Sequence, residues 1–157
     1  MSQEEMTVSE RWERTYQLGI VVRDLERAIE YFERAGIGPF APGLSSEVFD
    51  RVVDGVSVSD SSVKGATAQM GPLELELLQP LSGSSLAAKH LDERGEGPVH
   101  LCAYTDRLEE ESAEMRAAGF RSMASGKLTG GGRFEFFDTR EFGGLSLGLY
   151  LAGAESQ

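Results

Sequence analysis

The groups in this chain best suited to chemistry are an imidazole and a few carboxylates set inside apolar runs. His100 lies in GPVHLC (97–102), Glu74 and Glu76 in LELELL (73–78), and Glu135 in FEFF (134–137). An imidazole and a carboxylate can pass protons or hold a cation. Either can also be a satisfied interior polar group or a solvated strand residue, so position must separate the readings. Strand alternation puts Glu74 and Glu76 on one face and Leu73, Leu75 and Leu77 on the other. Glu74 is read as solvated, as on the wet side of an antiparallel sheet, and Glu76 as turned to a pocket. Glu135 is read either as an exposed or salt-bridged strand residue or as a working acid whose burial in an aromatic run would raise its pKa. His90, in a polar segment, reads as a surface helix residue, and the Glu109 to Glu111 run as a helix N-terminal face favoured by the dipole.

The elements that must position these groups come from a duplication. Tyr16 to Ile37 returns without a gap as Val99 to Phe120, with Leu18/Leu101, Leu25/Leu108, Glu26/Glu109, Ala35/Ala118 and Gly36/Gly119 identical. Gln17 and His100 are therefore the same position in the two copies. Each copy runs from an apolar strand (16–22, 99–105) through an acidic turn into an amphipathic helix (25–35, 108–118) ended by glycine. Further strands are expected at 47–53, 65–70 and 73–78, a short polar helix near 85–94, and a last hairpin joining 133–138 to 145–151. Two such units must pair their sheets to bury one core, so equivalent positions converge on a pseudo-twofold axis. Residues 1–13 and 153–157 are expected to be loose.

Composition narrows the function. A formal charge of -11 repels phosphate backbones and anionic lipid, so neither nucleic acid nor a membrane is expected as a partner. No apolar run approaches the roughly 18 residues of a membrane span, and the acidic N-terminus carries no secretory pattern. A cytoplasmic protein is expected, and the single cysteine, Cys102, agrees with a reducing compartment. The Gly130 to Gly132 run lacks the strand-then-helix context of a phosphate loop and reads as a flexible loop at a pocket mouth.

Several segments in order resemble a known group: LGIVVRDLERAIEYF (18–32), GIGPF (36–40), MGPLELELLQP (70–80), GEGPVHL (95–101) and GGGRFEFFDT (130–139). Together they are similar to the vicinal oxygen chelate superfamily, which includes glyoxalase I, bleomycin-resistance proteins, extradiol dioxygenases and methylmalonyl-CoA epimerase, and they most resemble epimerase-like members. The resemblance implies an α+β fold, a single domain over 14–152 in which paired βαβββ modules (14–80 and 97–152) form a curved sheet around a central pocket. It also implies a divalent metal held by the first and last strands of each module. Carried over by position, the ligands fall on Gln17, Glu76, His100 and Gly148, so the fourth donor is lost and the first is a neutral amide. The expected metal is then weakly bound Mg, Mn, Co or Ni, or none. Gln17 is evenly a metal donor or a substrate hydrogen bonder; Thr67, Tyr104 and Phe137 are further expected substrate contacts. The second family acid would lie near Lys64 to Thr67, where no acid stands.

Glu135 could supply the missing carboxylate. If Asp138 and Leu145 flank the last turn, Glu135 stands across from Gly148 with Cβ atoms about 5 Å apart. A one-residue slip would put it on the other face.

Two functions follow. One is an enzyme acting on a small carbonyl or acyl-CoA-like substrate by proton transfer, of epimerase, isomerase or lyase type, with Glu76 or Glu135 as the catalytic base. The alternative is a non-catalytic protein that binds or sequesters a small molecule in the same pocket. The enzyme is placed ahead, as a homodimer.

Overall fold

The structure, a computed structural model, describes residues 8–154. In chain order its elements are α1 (Val8–Trp12), β1 (Thr15–Val21), α2 (Leu25–Arg34), β2 (Ala41–Pro42), a 3-10 turn (Leu44–Glu47), β3 (Val48–Val53), β4 (Val56–Val58), β5 (Ser62–Met70) and β6 (Leu73–Ser82). Then follow α3 (Leu86–Arg94), β7 (Gly97–Tyr104), α4 (Leu108–Ala117), β8 (Ser122–Leu128), β9 (Arg133–Phe137) and β10 (Ser146–Leu151). The ten strands form one sheet in the order β2-β5-β6-β1-β7-β10-β9-β8-β3-β4.

The duplication is visible at the centre of that order. β1 and β7 run antiparallel, and Leu18 pairs with Leu101, its own repeat equivalent, so the pseudo-twofold axis passes between them. On either side the last strand of each module lies parallel to its first: Gly19 pairs with Glu76, and Cys102 with Gly148. Glu76 and Gly148 are thus equivalent positions. Gly36 and Gly119, at φ +87° and +97°, cap α2 and α4 in the left-handed conformation that glycine adopts without a Cβ clash.

The second strand of module one departs from expectation. In module two, β8 pairs with β9. Its counterpart is not the 47–53 stretch but the two-residue β2, which pairs with β5. β3 instead crosses over and, with β4, extends the far edge of module two by pairing with β8. Helices α2 and α4 cover one face of the sheet. Leu25 packs there with Leu75 and Leu77, and Leu108 and Met115 with Phe137 and Leu149. The other face curls around a cavity.

Two expectations are corrected. Residues 8–12 of the expected loose terminus form α1, which buries Arg11 against Glu111 and Glu114 of α4, while residues 1–7 and 155–157 lie outside the described residues. Glu111, in the first turn of α4 as expected, is fully buried and also accepts from Arg14 at 2.6 Å. His90 is 6% exposed rather than on the surface, because α3 packs its inner face on β6 and β7. Removing one partner of a buried ion pair leaves the other unpaired. Arg11→Met is therefore expected to cost on the order of 2 kcal/mol, moderated by the remaining Arg14, and Arg11→Met with Glu111→Leu to cost less than Arg11→Met alone. Urea unfolding of the three proteins checks this; a double variant weaker than the single one contradicts it. No helix among the described residues is long and apolar enough to cross a membrane.

Candidate functional site

The cavity has a volume of about 220 Å³ and is walled by strands from both modules, by the 3-10 turn and by the start of α3. Its polar wall is built where the two modules meet. Gln17 of β1 donates from Nε2 to Glu74 Oε1 at 2.7 Å and to Glu76 Oε2 at 2.9 Å. Its Oε1 faces His100 Nε2 at 2.9 Å. Because the amide NH2 is committed to two carboxylates, its oxygen must accept, and His100 is the donor. That fixes the neutral Nε2–H tautomer of His100.

Burial sets the charges. His100, 3% exposed, has its pKa pushed down to about 3 by desolvation and stays neutral. Glu76 is pushed up to about 7, first by desolvation and next by the neighbouring Glu74 carboxylate, with the hydrogen bond from Gln17 opposing. Its carboxylate is 13% exposed and lies 4.0 Å from His100 Nε2. Gly19 makes the packing possible. It stands opposite His100, and a Cβ there would overlap the imidazole ring.

Aromatic rings form the rest of the wall. Tyr16 and Tyr104 stack with centroids 3.8 Å apart, and Phe136 lies 4.7 Å from His100. Tyr16 hydrogen-bonds Cys102, and burial raises both groups above their ordinary values.

Gln17, Thr67, Glu76, His100 and Tyr104 thus line one cavity, while Glu135 and Phe137 do not. The β9–β10 register is one residue away from that expected: Gly148 pairs with Phe136, and Glu135 with Leu149. The ladder ends at Phe137, and Asp138 beyond it stays bonded on the β8 side. Its N–H donates to the Arg121 carbonyl, and its carboxylate is taken by Arg140 and Arg121, which hold its pKa down at about 2. One residue of slip exchanges the faces of the whole strand. Glu135 consequently points to the helix side and pairs with Arg116 of α4 at 2.8 Å, its salt-bridged reading, and Phe137 is fully buried in that core. Glu135→Gln is expected to leave ligand binding and turnover unchanged and to alter stability by less than about 1 kcal/mol; loss of either function would contradict this placement.

Glu74, read as solvated, is in the cavity wall because Gln17 reaches both carboxylates of the strand. Phe136 and Arg51 also line the cavity and were not expected there. Only the true β9 register and a bulge in β3 reveal them.

These residues are not disposed as ligands of the divalent ion that the family resemblance implies. Gln17 Oε1 and His100 Nε2 aim at each other, with the proton between them, and the ring of Phe136 fills the volume a side chain at Gly148 would need. No group of three His, Cys, Asp or Glu side chains among the described residues is arranged to hold a metal. The set is a hydrogen-bonded network rather than a coordination shell, and it does not fit a resident metal.

The family described as Glyoxalase/Bleomycin resistance protein/Dioxygenase superfamily matches residues 16–137. Among solved structures, the chain resembles Streptomyces coelicolor methylmalonyl-CoA epimerase in complex with 2-nitronate-propionyl-CoA, at 22% identity and a TM-score of 0.66, covering 90% of this chain and 98% of that one. It resembles the Mycobacterium tuberculosis methylmalonyl-CoA epimerase at 22% identity and a TM-score of 0.63, covering 90% and 89%. A hypothetical protein from Bacillus halodurans matches at 21% identity and a TM-score of 0.64, covering 91% and 96%. No curated protein matches. At these identities the likeness establishes the fold.

Proposed function

The chain belongs to the glyoxalase/bleomycin resistance protein/dioxygenase superfamily, and on that premise we propose that its cavity carries out one-base proton transfer at a carbon next to a carbonyl, with Glu76 as the base. The observation that carries this reading is Glu76 itself: a cavity-facing carboxylate whose pKa is about 7. A base is most effective when its pKa lies near the working pH, and such positioned bases contribute about 10² to 10⁴ in rate.

The remaining residues take roles around it. Gln17 holds the carboxylate through one amide hydrogen, and neutral His100 holds Gln17 by donating to its oxygen. Thr67, paired directly with Glu76 on the adjacent strand, offers a hydroxyl to the oxygen on which charge develops. The acids lining the cavity are Glu74 and Glu76, from one strand and one wall. Two-base epimerisation requires acids on opposite faces of the reacting carbon. This cavity instead suits removal and return of the proton on a single face, as in enolisation or isomerisation. No step is routed through a metal.

The test is deuterium wash-in from D2O at the carbon next to the carbonyl, the acyl C2 of methylmalonyl-CoA and C3 of small 2-oxo acids, with and without chelator. Exchange that depends on Glu76, rises with pH through about 7 and survives chelation supports the reading. The second reading, a binding protein, is favoured by Gly148, which lacks the family's fourth donor, with the Phe136 ring filling that place. It gains if these compounds bind but none exchanges. Exchange restored only by added divalent ion would show that Gln17 turns to a metal.

A further inference from the structure

The cavity has a second pole, opposite in charge to the first. β3 carries a bulge: Phe49 pairs with Lys127 and Val52 with Ser125, so Asp50 and Arg51 together stand opposite Gly126. Asp50 sits at φ +47°, a conformation uncommon outside glycine, and its carboxylate pairs outward with Lys127 at 3.3 Å. Without the extra residue, alternation from Val48, which lines the cavity, would send Arg51 to the outer face with Phe49. The bulge reverses the alternation and turns Arg51 into the cavity.

Arg51 is half-buried there. Among the described residues no carboxylate pairs with it and no acceptor hydrogen-bonds to it, although acidic residues number 26 against 15 Lys and Arg. Burial lowers its pKa, with no acidic neighbour offsetting the effect. A half-buried guanidinium that its own chain leaves unpaired is placed to receive an anion from a ligand. In the 3-10 turn preceding β3, the buried Ser45 hydroxyl, set against Gly65 of β5, also lines the cavity and has no hydrogen-bond partner. Between the poles the walls are apolar and aromatic, including Val48, Phe134 and Leu128.

We propose that Arg51 anchors the carboxylate of a small hydrophobic acid, which then lies across the cavity with its reactive end toward Glu76. A dry cavity of about 150 Å³ already admits benzene. The 220 Å³ here therefore suits a single ring or a short branched chain with a carboxylate head. The guanidinium fork matches a carboxylate in a bidentate pair. The inference rests on the cavity being a small-molecule site, as in the function proposed above, and it names the substrate class.

Isothermal titration calorimetry with 3-phenylpropionate and its neutral isostere 3-phenylpropionamide, and with isovalerate and isovaleramide, tests it. At least one carboxylate is expected to bind about tenfold or more tighter than its amide, as a charge-assisted pair implies. Arg51→Met should bring the two within about twofold, and Arg51→Lys should keep part of the preference as a point charge without the fork. Equal affinities in the unaltered protein, no carboxylate binding at all, or a preference that persists in Arg51→Met each overturn the proposal; the first two need no variant to fold. Deuterium exchange separates this outcome from the catalytic one. Arg51-dependent binding without Glu76-dependent exchange keeps the anchor and removes the enzyme. Exchange without carboxylate preference does the reverse.

Discussion

Glu76→Gln is expected to abolish α-proton exchange, by at least about a hundredfold, while making the protein more stable at pH 8. The stability gain follows from the raised pKa. An acid whose folded pKa is about 7 against an unfolded value near 4.5 binds more protons when folded, so its contribution is favourable below about 4.5 and is lost as pH rises through 7. Gln removes the ionisation and can still accept from Gln17 Nε2, so the gain above pH 7 is on the order of 2 kcal/mol. His100 works in the opposite direction. With its pKa lowered to about 3, its contribution is present above the unfolded value near 6.5 and is lost as pH falls toward 3.

Between about pH 4.5 and 6.5 these two slopes oppose each other, so the unaltered protein should show nearly flat stability from this pair and Glu76→Gln a rising one. Urea unfolding across pH 4.5 to 8 measures both curves. Parallel curves would mean that Glu76 does not titrate with a raised pKa, and the base assignment would fall with it.

Gly148→Ala should be destabilising although its backbone admits alanine. Any Cβ there overlaps the Phe136 ring, which packs on His100 at 4.7 Å and has to shift. Overpacking of this kind costs about 1–3 kcal/mol, offset by less than about 1 kcal/mol from the unfolded-state entropy that glycine loses to alanine. A net loss of about 2 kcal/mol is expected, with His100 displaced and its hydrogen bond to Gln17 weakened. Phe136→Leu makes room, so the double variant should be more stable than the sum of the two singles predicts, by about 1 kcal/mol. Strict additivity, or Gly148→Ala as stable as the parent, would show that the ring moves freely. The same overlap blocks restoration of the family's fourth ligand: Gly148→Glu has no space for its side chain unless Phe136 is first reduced.

Much of the fold was legible in the sequence because the information was local and repeated. Period-two and helical patterning, the glycine caps and the gapless duplication determine two equivalent modules and an axis between their first strands. Equivalence of Gln17 with His100, and alternation in LELELL, then bring Gln17, Glu76 and His100 to one wall. Three features were decided only by tertiary structure, and two of them turn on a single residue of register. The β9–β10 register sets Phe136, not Glu135, against Gly148, and nothing local to either strand specifies that phase; it sends Glu135 to α4 and Phe136 to the cavity. The destination of β3 depends on which edge strand is available to accept it, and β8 of the other module is. The direction of Arg51 depends on a bulge held between β3 and that borrowed partner. Strand periodicity specifies alternation but not its phase, and phase is set by the partner across the ladder.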